Sequence, residues 1–337
     1  MHALEHQLLS VNGIQLSLYS AGPATGRPVW LLHGFPECWH SWRQQIAPLA
    51  AAGYRVLIPE MRGYGQSSAP RDPAAYDLLT ICADIQAAMD QLGQQQVCVV
   101  GHDWGAPIAW HLALLEPERV QAVVGMAVPF GGRPRQPAIE IMRQLYAGRF
   151  HYILHFQQPG VAEAEMDADI PRTLRMMMHN TSAAVPRDHF LQEKPAGAGL
   201  FDSMQDPGTL PAWCDSAAFG HYLKTFEGRG FYGALNWYRN FERNWQRTEA
   251  LADRQIEQPA LFLLGDSDPV GTLEAYTLKQ MPKRVPQLEQ HVLKECGHWI
   301  QNEQAEQVNQ LLLAFLARNF SGVTTGLIAT KSVDPND

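Results

Sequence analysis

The 337-residue sequence lacks several features that would assign a protein to a class at once. No stretch reaches the eighteen or so apolar residues that a membrane-spanning helix requires. The first residues show no basic region followed by an apolar stretch, so we expect no signal peptide. The five cysteines are odd in number, widely spaced and without a CxxC pair. They predict neither a disulfide framework nor a zinc site, and they favour a cytoplasmic location.

Basic residues are also scarce relative to acidic ones. The sequence has 26 Lys and Arg against 34 Asp and Glu, which gives a net charge of -8 at pH 7. This balance argues against a nucleic-acid partner, which would favour a basic face. Hydrophobic residues make up 46% of the chain and charged residues 18%, as expected for a globular protein with a large core.

What the sequence does contain is an alternation of strand and helix patterns. Short apolar stretches typical of strands lie at 15–19, 29–32, 54–58, 97–100 and 122–128. Between them, segments such as 78–92 carry apolar residues at helical spacing. The alternation resumes at 259–268, continues through 290–299 and closes with a helix from about 303 to 320. It predicts an α/β protein with a mostly parallel sheet covered by helices on both faces.

The alternation is interrupted once. Residues 129–137 are rich in Pro and Gly and mark a boundary. Residues 138–247 then carry helical patterns but no convincing pair of strands. We therefore predict a discontinuous α/β core at 1–130 and 248–320, a helical cap domain at 131–247 and a C-terminal tail at 321–337.

The stretch VVGHDWGAP, residues 99–107, is typical of a buried strand that ends in a tight turn and opens into a helix. Small residues surround Asp103 at Gly101, Gly105 and Ala106, which is the steric requirement of a nucleophile elbow. The N-terminus of the following helix favours an ionised Asp103. An ordinary N-cap aspartate is the alternative. The glycine frame after a buried strand favours the nucleophile.

The chain offers partners for this aspartate in the order acid, then histidine, which this layout requires. Asp266 and Asp268 both follow the predicted strand PALFLLG, and His298 follows the last predicted strand in a glycine-preceded loop. We favour Asp268 as the partner of His298 because it lies further into its loop. Asp266 stays open as an alternative, with stabilisation of the turn as its other role.

The stretch LLHGFP places His33 and Pro36 at the end of an early strand. In this layout the loop donates a backbone N–H to an oxyanion hole, and the residue after the nucleophile supplies a second one. Phe35 and Trp104 are therefore the candidate donors. His33 and Pro36 could equally shape the turn alone, and the two roles are compatible.

These residues resemble those of the soluble type of epoxide hydrolase with the α/β-hydrolase fold. The similar stretches run from about residue 30 to 300: HGFPECWHSWR, MRGYGQSSAP, GHDWGA, FQQPGVAEAE, GALNWYRNFERNW, LLGDSD and CGHW. HGFP alone is shared with dehalogenases, whereas GHDWGA together with FQQPG and LNWYRN is more specific. Glu60 departs from the aspartate of many relatives and lies outside the proposed chemistry.

The resemblance implies that two phenols in the cap donate to the epoxide oxygen. By position these are Tyr152, before FQQPG, and Tyr238, in LNWYRN. Tyr146 is a local competitor for the first role, and a purely structural aromatic is the alternative for Tyr238. The residues expected to line the substrate pocket are His33, Pro36, Trp104, His155 and Trp299. His155 is expected to affect the shape of the pocket without a catalytic role.

A carboxylate nucleophile suits a reaction at a saturated carbon, because the resulting ester can be cleaved by water, whereas an alkylated serine would be a stable ether. We therefore predict a hydrolase that opens an apolar epoxide to a vicinal diol through an ester on Asp103. His298 would activate the water and Asp268 would orient His298. The resemblance implies no metal and no organic cofactor, which agrees with the absence of HExxH, P-loop and GxGxxG patterns. We expect a monomer or homodimer.

Two alternatives remain at this stage. A haloalkane dehalogenase on the same scaffold would use the same two steps with a halide as the leaving group. A non-catalytic ligand-binding protein with a lidded pocket would not need nucleophile, base and acid together.

Overall fold

A computed structural model describes residues 3–321 and places one eight-stranded sheet at the centre of the protein. The strands are β1 Glu5–Val11, β2 Ile14–Ala21, β3 Pro28–Leu32, β4 Arg55–Glu60, β5 Val97–His102, β6 Val120–Met126, β7 Ala260–Gly265 and β8 Leu288–Leu293. Their spatial order is β1-β2-β4-β3-β5-β6-β7-β8. The pairs β1–β2 and β2–β4 are antiparallel, and every later neighbouring pair is parallel. This is the mostly parallel sheet that the strand–helix alternation predicts.

The helices of the described residues precede and follow these strands. Those flanking the sheet are α1 Arg43–Ala51, α2 Leu78–Gln91, α3 Gly105–Leu115, α12 Pro269–Leu273, α13 Ala275–Arg284, α14 Ile300–Glu303 and α15 Ala305–Asn319. Those between β6 and β7 are α4 Ala138–Leu145, α5 Tyr152–Phe156, α6 Val161–Met166, α7 Ile170–Asn180, α8 Arg187–Phe190, α9 Ser216–Phe226, α10 Tyr232–Arg239 and α11 Phe241–Arg247. Short 3₁₀ helices span Trp39–Trp42, Pro73–Tyr76, Asp167–Asp169 and Glu249–Leu251.

The central strands are apolar along their whole length because both faces of the sheet are covered. In β3, Val29 and Leu31 pack into one hydrophobic cluster, whereas Trp30 and Leu32 pack into another on the opposite face. Successive side chains of a strand point to opposite faces, so one uninterrupted apolar run supplies two cores. Packing on both faces fixes the position of the sheet. The residues that directly follow its strands are therefore held in place as well.

The edge strand β1 was not predicted from the sequence. Only Leu9 and Val11 of its seven residues are buried, so the strand lacks the apolar run that identifies the others. The register is set by a two-residue hairpin at Asn12 and Gly13, which have φ of 43° and 76°. Asn-Gly is a strong sequence for this turn because both residues tolerate a left-handed backbone. The Asn-Gly pair in the sequence could therefore have indicated that a strand precedes β2.

The segment between β6 and β7 forms a helical layer that rests on the core. The only strand-like pairing described within it is an isolated bridge between Arg149 and Pro195. Trp237 of α10 donates its Nε1–H to the carbonyl of Arg62 at 3.1 Å. The hydroxyls of Tyr222 and Ser41 are 3.0 Å apart. These bonds attach the inserted helices directly to loops of the core.

The C-terminal part of the core differs slightly from the prediction. The closing helix expected from about 303 to 320 consists of two helices, α14 and α15. Apart from Ser321, the predicted tail at 321–337 lies outside the described residues. Among residues 3–321, no helix is both long enough and apolar enough to cross a membrane.

Candidate active site

Asp103 occupies a sharp turn between β5 and α3. Its backbone is left-handed, with φ of 49°, which is unusual for a residue other than glycine. A Cβ on Gly101 would overlap the carbonyl oxygen of Gly105, and a Cβ on Gly105 would overlap the carbonyl oxygen of Leu32. The glycines on both sides of Asp103 are therefore required by the close approach of the backbone. This geometry presents the Asp103 carboxylate at the carboxyl end of the sheet.

Asp268 and His298 approach Asp103 from the loops that follow β7 and β8. Asp268 follows β7 and is fully buried, and both of its carboxylate oxygens lie near His298 Nδ1, at 3.1 and 3.2 Å. The other ring nitrogen, Nε2, is 3.5 Å from Oδ2 of Asp103. His298 therefore lies between the two carboxylates, with Asp268 orienting the ring so that Nε2 faces Asp103.

The electrostatic surroundings of His298 favour its charged form. Burial acts against that charge, but Asp268 and Asp103 outweigh it and raise the pKa of His298 well above the ordinary value. Two carboxylates within hydrogen-bonding reach stabilise an imidazolium more than either would alone. Any event that removes the charge of Asp103 would therefore lower the pKa of His298.

Asp266 does not contact this histidine. Its Oδ1 accepts hydrogen bonds from the N–H of Cys296 at 3.3 Å and from the Ser267 hydroxyl at 3.1 Å. Lys294 lies 3.8 Å from its other carboxylate oxygen. Asp266 thus stabilises the turn after β7. This is the alternative role that the sequence indicated for it, besides that of partner of His298.

The loop after β3 lies directly against the Asp103 carboxylate. The N–H of Phe35 donates to Asp103 Oδ1 at 2.7 Å. Of the two candidate oxyanion donors, Phe35 makes such a bond, whereas no bond from the Trp104 N–H to this carboxylate is made within residues 3–321. A Cβ on Gly34 would contact Asp103 Oδ1 and the Trp104 nitrogen, so only glycine permits this close approach.

A buried pair of side chains, His102 and Glu37, lies behind Asp103 and was not found from the sequence. His102 Nδ1 is 2.7 Å from Glu37 Oε2, and His102 Nε2 is 2.7 Å from the carbonyl oxygen of His298. Both ring nitrogens therefore face an oxygen atom. Burial opposes the charge of Glu37, but His102 lowers the pKa of this carboxyl to about 2. Glu37 also accepts from the N–H of Gly34 at 2.7 Å.

This network joins three separate loops: the one after β3, the elbow and the one that carries His298. Gln301 completes it by donating to the second oxygen of Glu37 at 2.8 Å. In the sequence, these two residues stand out only by their positions: Glu37 directly follows HGFP, and His102 directly precedes Asp103. Neither position identifies its partner, because the two are far apart in the chain.

The two predicted phenols lie next to one another above the elbow. Tyr152 begins α5 and Tyr238 lies in α10, and their ring centroids are 6.1 Å apart. Burial, with Asp103 as a further contribution, raises the pKa of both phenols. Each therefore stays protonated and able to donate. Tyr146, the local competitor, packs against His151 with ring centroids 4.2 Å apart and is not among the residues that line the cavity beside the two phenols.

One cavity, here called the elbow cavity, is lined by Asp103, His298, Tyr152 and Tyr238 together. The side chains that form most of its remaining wall are apolar: Phe35, Met177, Phe190, Leu200, Val270, Leu273 and Trp299. Apart from Asp103 and His298, no charged side chain lines the cavity, and Thr181 is the remaining polar residue besides the two phenols. Such an arrangement suits an apolar small molecule whose one reactive polar atom reaches the elbow.

Of the five predicted pocket residues, Trp299 lines the elbow cavity and the other four do not. His33 is fully buried behind the loop, where its Nε2 accepts from the N–H of Met61. Pro36 follows Phe35 in the same loop. Trp104 packs edge-on against the Tyr238 ring, at 5.2 Å between centroids. The role of these residues in forming the substrate pocket stays a prediction.

His155, the last of the five predicted pocket residues, contacts a carboxylate of the cap. It lies one turn after Tyr152 in α5, and its Nε2 is 2.6 Å from Oε1 of Glu165. Glu165 in turn accepts from the N–H of Leu200 at 2.6 Å through its other oxygen. His155 therefore reaches the cavity only indirectly, through the backbone position of Leu200.

Comparison with known proteins gives consistent results. A family model described as alpha/beta hydrolase fold matches residues 27–305. The chain is 40% identical to Epoxide hydrolase A of Mycobacterium tuberculosis, over 94% of this chain and 98% of that one. It is 38% identical to Epoxide hydrolase 3 of Siraitia grosvenorii, over 94% and 99% of the two chains. The chain belongs to the epoxide hydrolases of the α/β-hydrolase fold.

The solved structures support this assignment to the epoxide hydrolase family. The crystal structure of Epoxide Hydrolase A from Mycobacterium thermoresistibile is similar with a TM-score of 0.88 and 40% identity, over 94% of this chain and 98% of that one. The predictions of the family, of the α/β-hydrolase fold with a helical cap and of a hydrolase are therefore confirmed. Within residues 3–321, no group of three or more His, Cys, Asp or Glu side chains is arranged to hold a metal ion.

Proposed function

We propose that this epoxide hydrolase family member converts an apolar epoxide and water to a vicinal diol through an ester on Asp103. The observation that carries the proposal is that Asp103, His298, Tyr152 and Tyr238 line one cavity. A nucleophile, a base and two proton donors are the groups that the reaction needs. The boundaries of the cap domain, at 131–247, are part of the same proposal.

In the first step, a carboxylate oxygen of Asp103 attacks an epoxide carbon. A C–O bond to the enzyme forms while the ring C–O bond breaks, and the departing oxygen takes a proton from one phenol while the other donates a hydrogen bond to it. An alkoxide is a strongly basic leaving group, so donors on the side opposite the nucleophile are required. The raised pKa of Tyr152 and Tyr238 keeps both phenols protonated for this role.

Formation of the ester prepares His298 for the second step. The ester of Asp103 carries no charge, so one of the two carboxylates that raise the pKa of His298 is lost. The imidazolium then releases its proton, which restores the phenol through the solvent in the cavity. His298 becomes the neutral base that the hydrolysis of the ester needs.

In the second step, His298 removes a proton from water, and the resulting hydroxide attacks the carbonyl carbon of the Asp103 ester. The N–H of Phe35, 2.7 Å from Asp103 Oδ1, is placed to stabilise the negative charge that develops on an oxygen of this group. The ester bond then breaks, and the departing diol oxygen takes the proton from His298. The carboxylic acid left on Asp103 gives its proton to the neutral His298, which restores the carboxylate and the imidazolium. We propose Trp104 as a second N–H donor when the tetrahedral intermediate moves this oxygen.

The cavity indicates the kind of substrate. Its wall away from the elbow is apolar, with Met177, Leu200 and Leu273 among its members. Burial of such surface against the substrate contributes about 25 cal/mol per Å². We therefore propose an epoxide with an apolar aryl or alkyl substituent, handled without a cofactor. A cytoplasmic location and a monomeric or homodimeric state remain predictions.

The haloalkane dehalogenase alternative is disfavoured by the phenols. A halide leaves as a weakly basic ion and needs no proton, so two adjacent phenols with a raised pKa would have no purpose over the elbow. The non-catalytic alternative is disfavoured by the 3.1 Å contact of His298 with Asp268 and its 3.5 Å contact with Asp103. A binding protein gains nothing from a base held in this position.

Replacement of His298 by Gln tests the proposal. The first step needs only Asp103 and the phenols, so alkylation should continue while ester hydrolysis stalls. Intact-protein mass spectrometry after mixing with styrene oxide should show an adduct heavier by one whole substrate, located by peptide mapping to the GHDWGA segment. His291→Gln is the matched control, because His291 is half-exposed and pairs with Glu289 far from the elbow.

The same measurement separates the candidate functions. A haloalkane would add its mass less that of the hydrogen halide. A folded His298→Gln protein that binds the epoxide without any adduct would refute the two-step reaction. The control variant should turn over normally and accumulate no ester.

A further inference from the structure

Two side chains at the C-terminal ends of the phenol-bearing helices have no role in the proposed reaction. Gln157 follows the last residue of α5, the helix that begins with Tyr152. Arg239 is the last residue of α10 and directly follows Tyr238. Each of these side chains leaves its own helix and bonds to the other one.

The amide of Gln157 connects α5 to the residue that carries the second phenol. Its Nε2 donates to the carbonyl oxygen of Tyr238 at 2.8 Å and to that of Ile153 at 2.9 Å. Ile153 adjoins Tyr152 in α5. A single amide group therefore joins the backbone next to one phenol with the backbone of the other.

Arg239 makes the reciprocal connection. Its Nε donates to the carbonyl oxygen of Phe156, the last residue of α5, at 2.9 Å. The rest of the guanidinium is held by Asn236 Oδ1 at 2.8 Å and by Glu163, with an ion-pair distance of 2.7 Å. Glu163 is itself fixed because it accepts from the N–H of Gly160 at 2.9 Å. The side chain of Arg239 is only 5% exposed, so these bonds are shielded from water.

The two helices need this support because they are short. α5 has five residues and α10 has eight, and isolated helices of this length are not stable in water. The last carbonyls of a helix also have no partner within the helix. Gln157 and Arg239 satisfy carbonyls at or near these ends, and each does so from the opposite helix. Neither helix can turn or slide without breaking bonds of the pair.

We propose that Gln157 and Arg239 are positioning residues that set the separation of Tyr152 and Tyr238 for ring opening. The inference rests on the proposed function, in which both phenols act on one epoxide oxygen. Two donors reach one atom only if their separation is held, and a displacement of about 1 Å can cost on the order of 100-fold in rate. Ester hydrolysis uses Asp103 and His298 of the core and does not depend on this separation.

The chain offers a matched control in the adjacent glutamine. Gln157→Leu keeps the size of the side chain and removes both hydrogen bonds, whereas Gln158→Leu makes the same change at an exposed position. Both variants should be studied in single turnovers by rapid quenching and mass spectrometry, which follows ester formation and ester loss separately. We expect alkylation to slow about 10- to 100-fold in Gln157→Leu, with ester hydrolysis within twofold of the parent. Gln158→Leu should leave both rates unchanged.

Arg239→Lys provides a second test that keeps the charge but loses the fork of donors. It should also slow alkylation selectively, and its thermal unfolding gives the structural effect separately. If Arg239→Lys fails to fold, the comparison of Gln157→Leu with Gln158→Leu still tests the positioning role. Equal behaviour of the two glutamine variants, or an equal loss in both half-reactions of Gln157→Leu, would overturn the inference.

Failure of the proposed function would look different. In that case the Tyr152→Phe, Tyr238→Phe double variant would itself keep a normal alkylation rate. If the double variant loses alkylation while Gln157→Leu does not, the phenols act as proposed and the positioning role alone is wrong.

Discussion

The core and the cap hold their reactive side chains in two different ways. Asp103, Asp268 and His298 follow β5, β7 and β8, strands that are paired along their length with neighbours in one sheet. Tyr152 and Tyr238 lie on short helices that are joined by side-chain hydrogen bonds. Backbone pairing fixes the core groups whatever their neighbours are, whereas the cap groups depend on particular side chains. Single substitutions in the core should therefore nearly stop turnover, whereas single substitutions in the cap should reduce its rate.

The two regions also differ in charge. The core groups form a charged set in which His298 lies between two carboxylates. The cap contributes neutral phenols whose pKa is raised by burial and by Asp103. In the proposed reaction, the charged groups lie where bonds to the enzyme form and break, and the neutral donors lie where the leaving oxygen departs.

Replacement of Asp103 by Ala should remove turnover, with a loss of at least about 10⁴-fold, because no other group can form the ester. Asp188→Ala, at an exposed position in the cap, is the control and should keep full activity. In the unchanged protein, a single turnover in heavy-oxygen water should place the label in Asp103 and leave the first diol unlabelled. Label in the first diol would mean that water attacks the epoxide directly.

Asp268→Asn should reduce turnover by up to about 10⁴-fold, because the amide can no longer orient His298 or stabilise its cation. The loss should fall on ester hydrolysis, so the ester should accumulate and be visible by mass spectrometry. Asp266→Asn, two residues earlier, should leave the hydrolysis rate nearly unchanged because Asp266 does not contact His298. Similar losses in the two variants would show that the acid has been assigned to the wrong residue.

Tyr152→Phe and Tyr238→Phe should each slow ring opening by about 10- to 150-fold, which corresponds to about 1.5–3 kcal/mol for one hydrogen bond to a developing charge. The double variant should lose nearly all alkylation, and ester hydrolysis should be unaffected. Tyr146→Phe is the control, since its ring stacks on His151 instead of lining the cavity. Near-normal alkylation by the double variant would contradict the assignment of the cap.

The smallest effect is expected from alkaline pH. A raised pKa means that a phenol stays protonated to higher pH, so alkylation should not fall as pH rises to about 10, the ordinary value for tyrosine. Ester hydrolysis should instead fall as pH is lowered, because protonation removes the neutral form of His298 that acts as base. Single-turnover rates over a pH series separate the two trends. A decline of alkylation between pH 8 and 10 would argue against neutral phenols as donors.

Much of the core could be predicted because its signals are local. A buried strand, a glycine frame and a following helix lie within nine residues around Asp103, and sterics require the glycines there. The candidates Asp268 and His298 followed from the order of strands along the chain. The weak apolar pattern of β1 shows the limit of this approach, since an edge strand with one face in water needs few buried residues.

The lining of the elbow cavity could not be predicted in the same way. Met177, Leu200 and Leu273 come from separate parts of the chain, and their patterns are those of any buried residue. Conversely, His33 and Trp104 adjoin site residues in sequence but face other directions. Neighbours in a turn point to different sides, so adjacency along the chain does not place a side chain in a cavity.

The sequence by itself determined the fold class and the elbow at Asp103, because strand and helix patterns and the glycine frame each depend on residues a few positions apart whose sterics are fixed locally. Only the tertiary structure decided that Asp268 and not Asp266 meets His298, that Glu37 pairs with His102, and which side chains form the cavity wall. These are contacts between residues far apart in the chain. Their geometry is set by how strands and cap helices pack together, since hydrogen bonds act over about 3 Å and no spacing along the chain specifies such a distance.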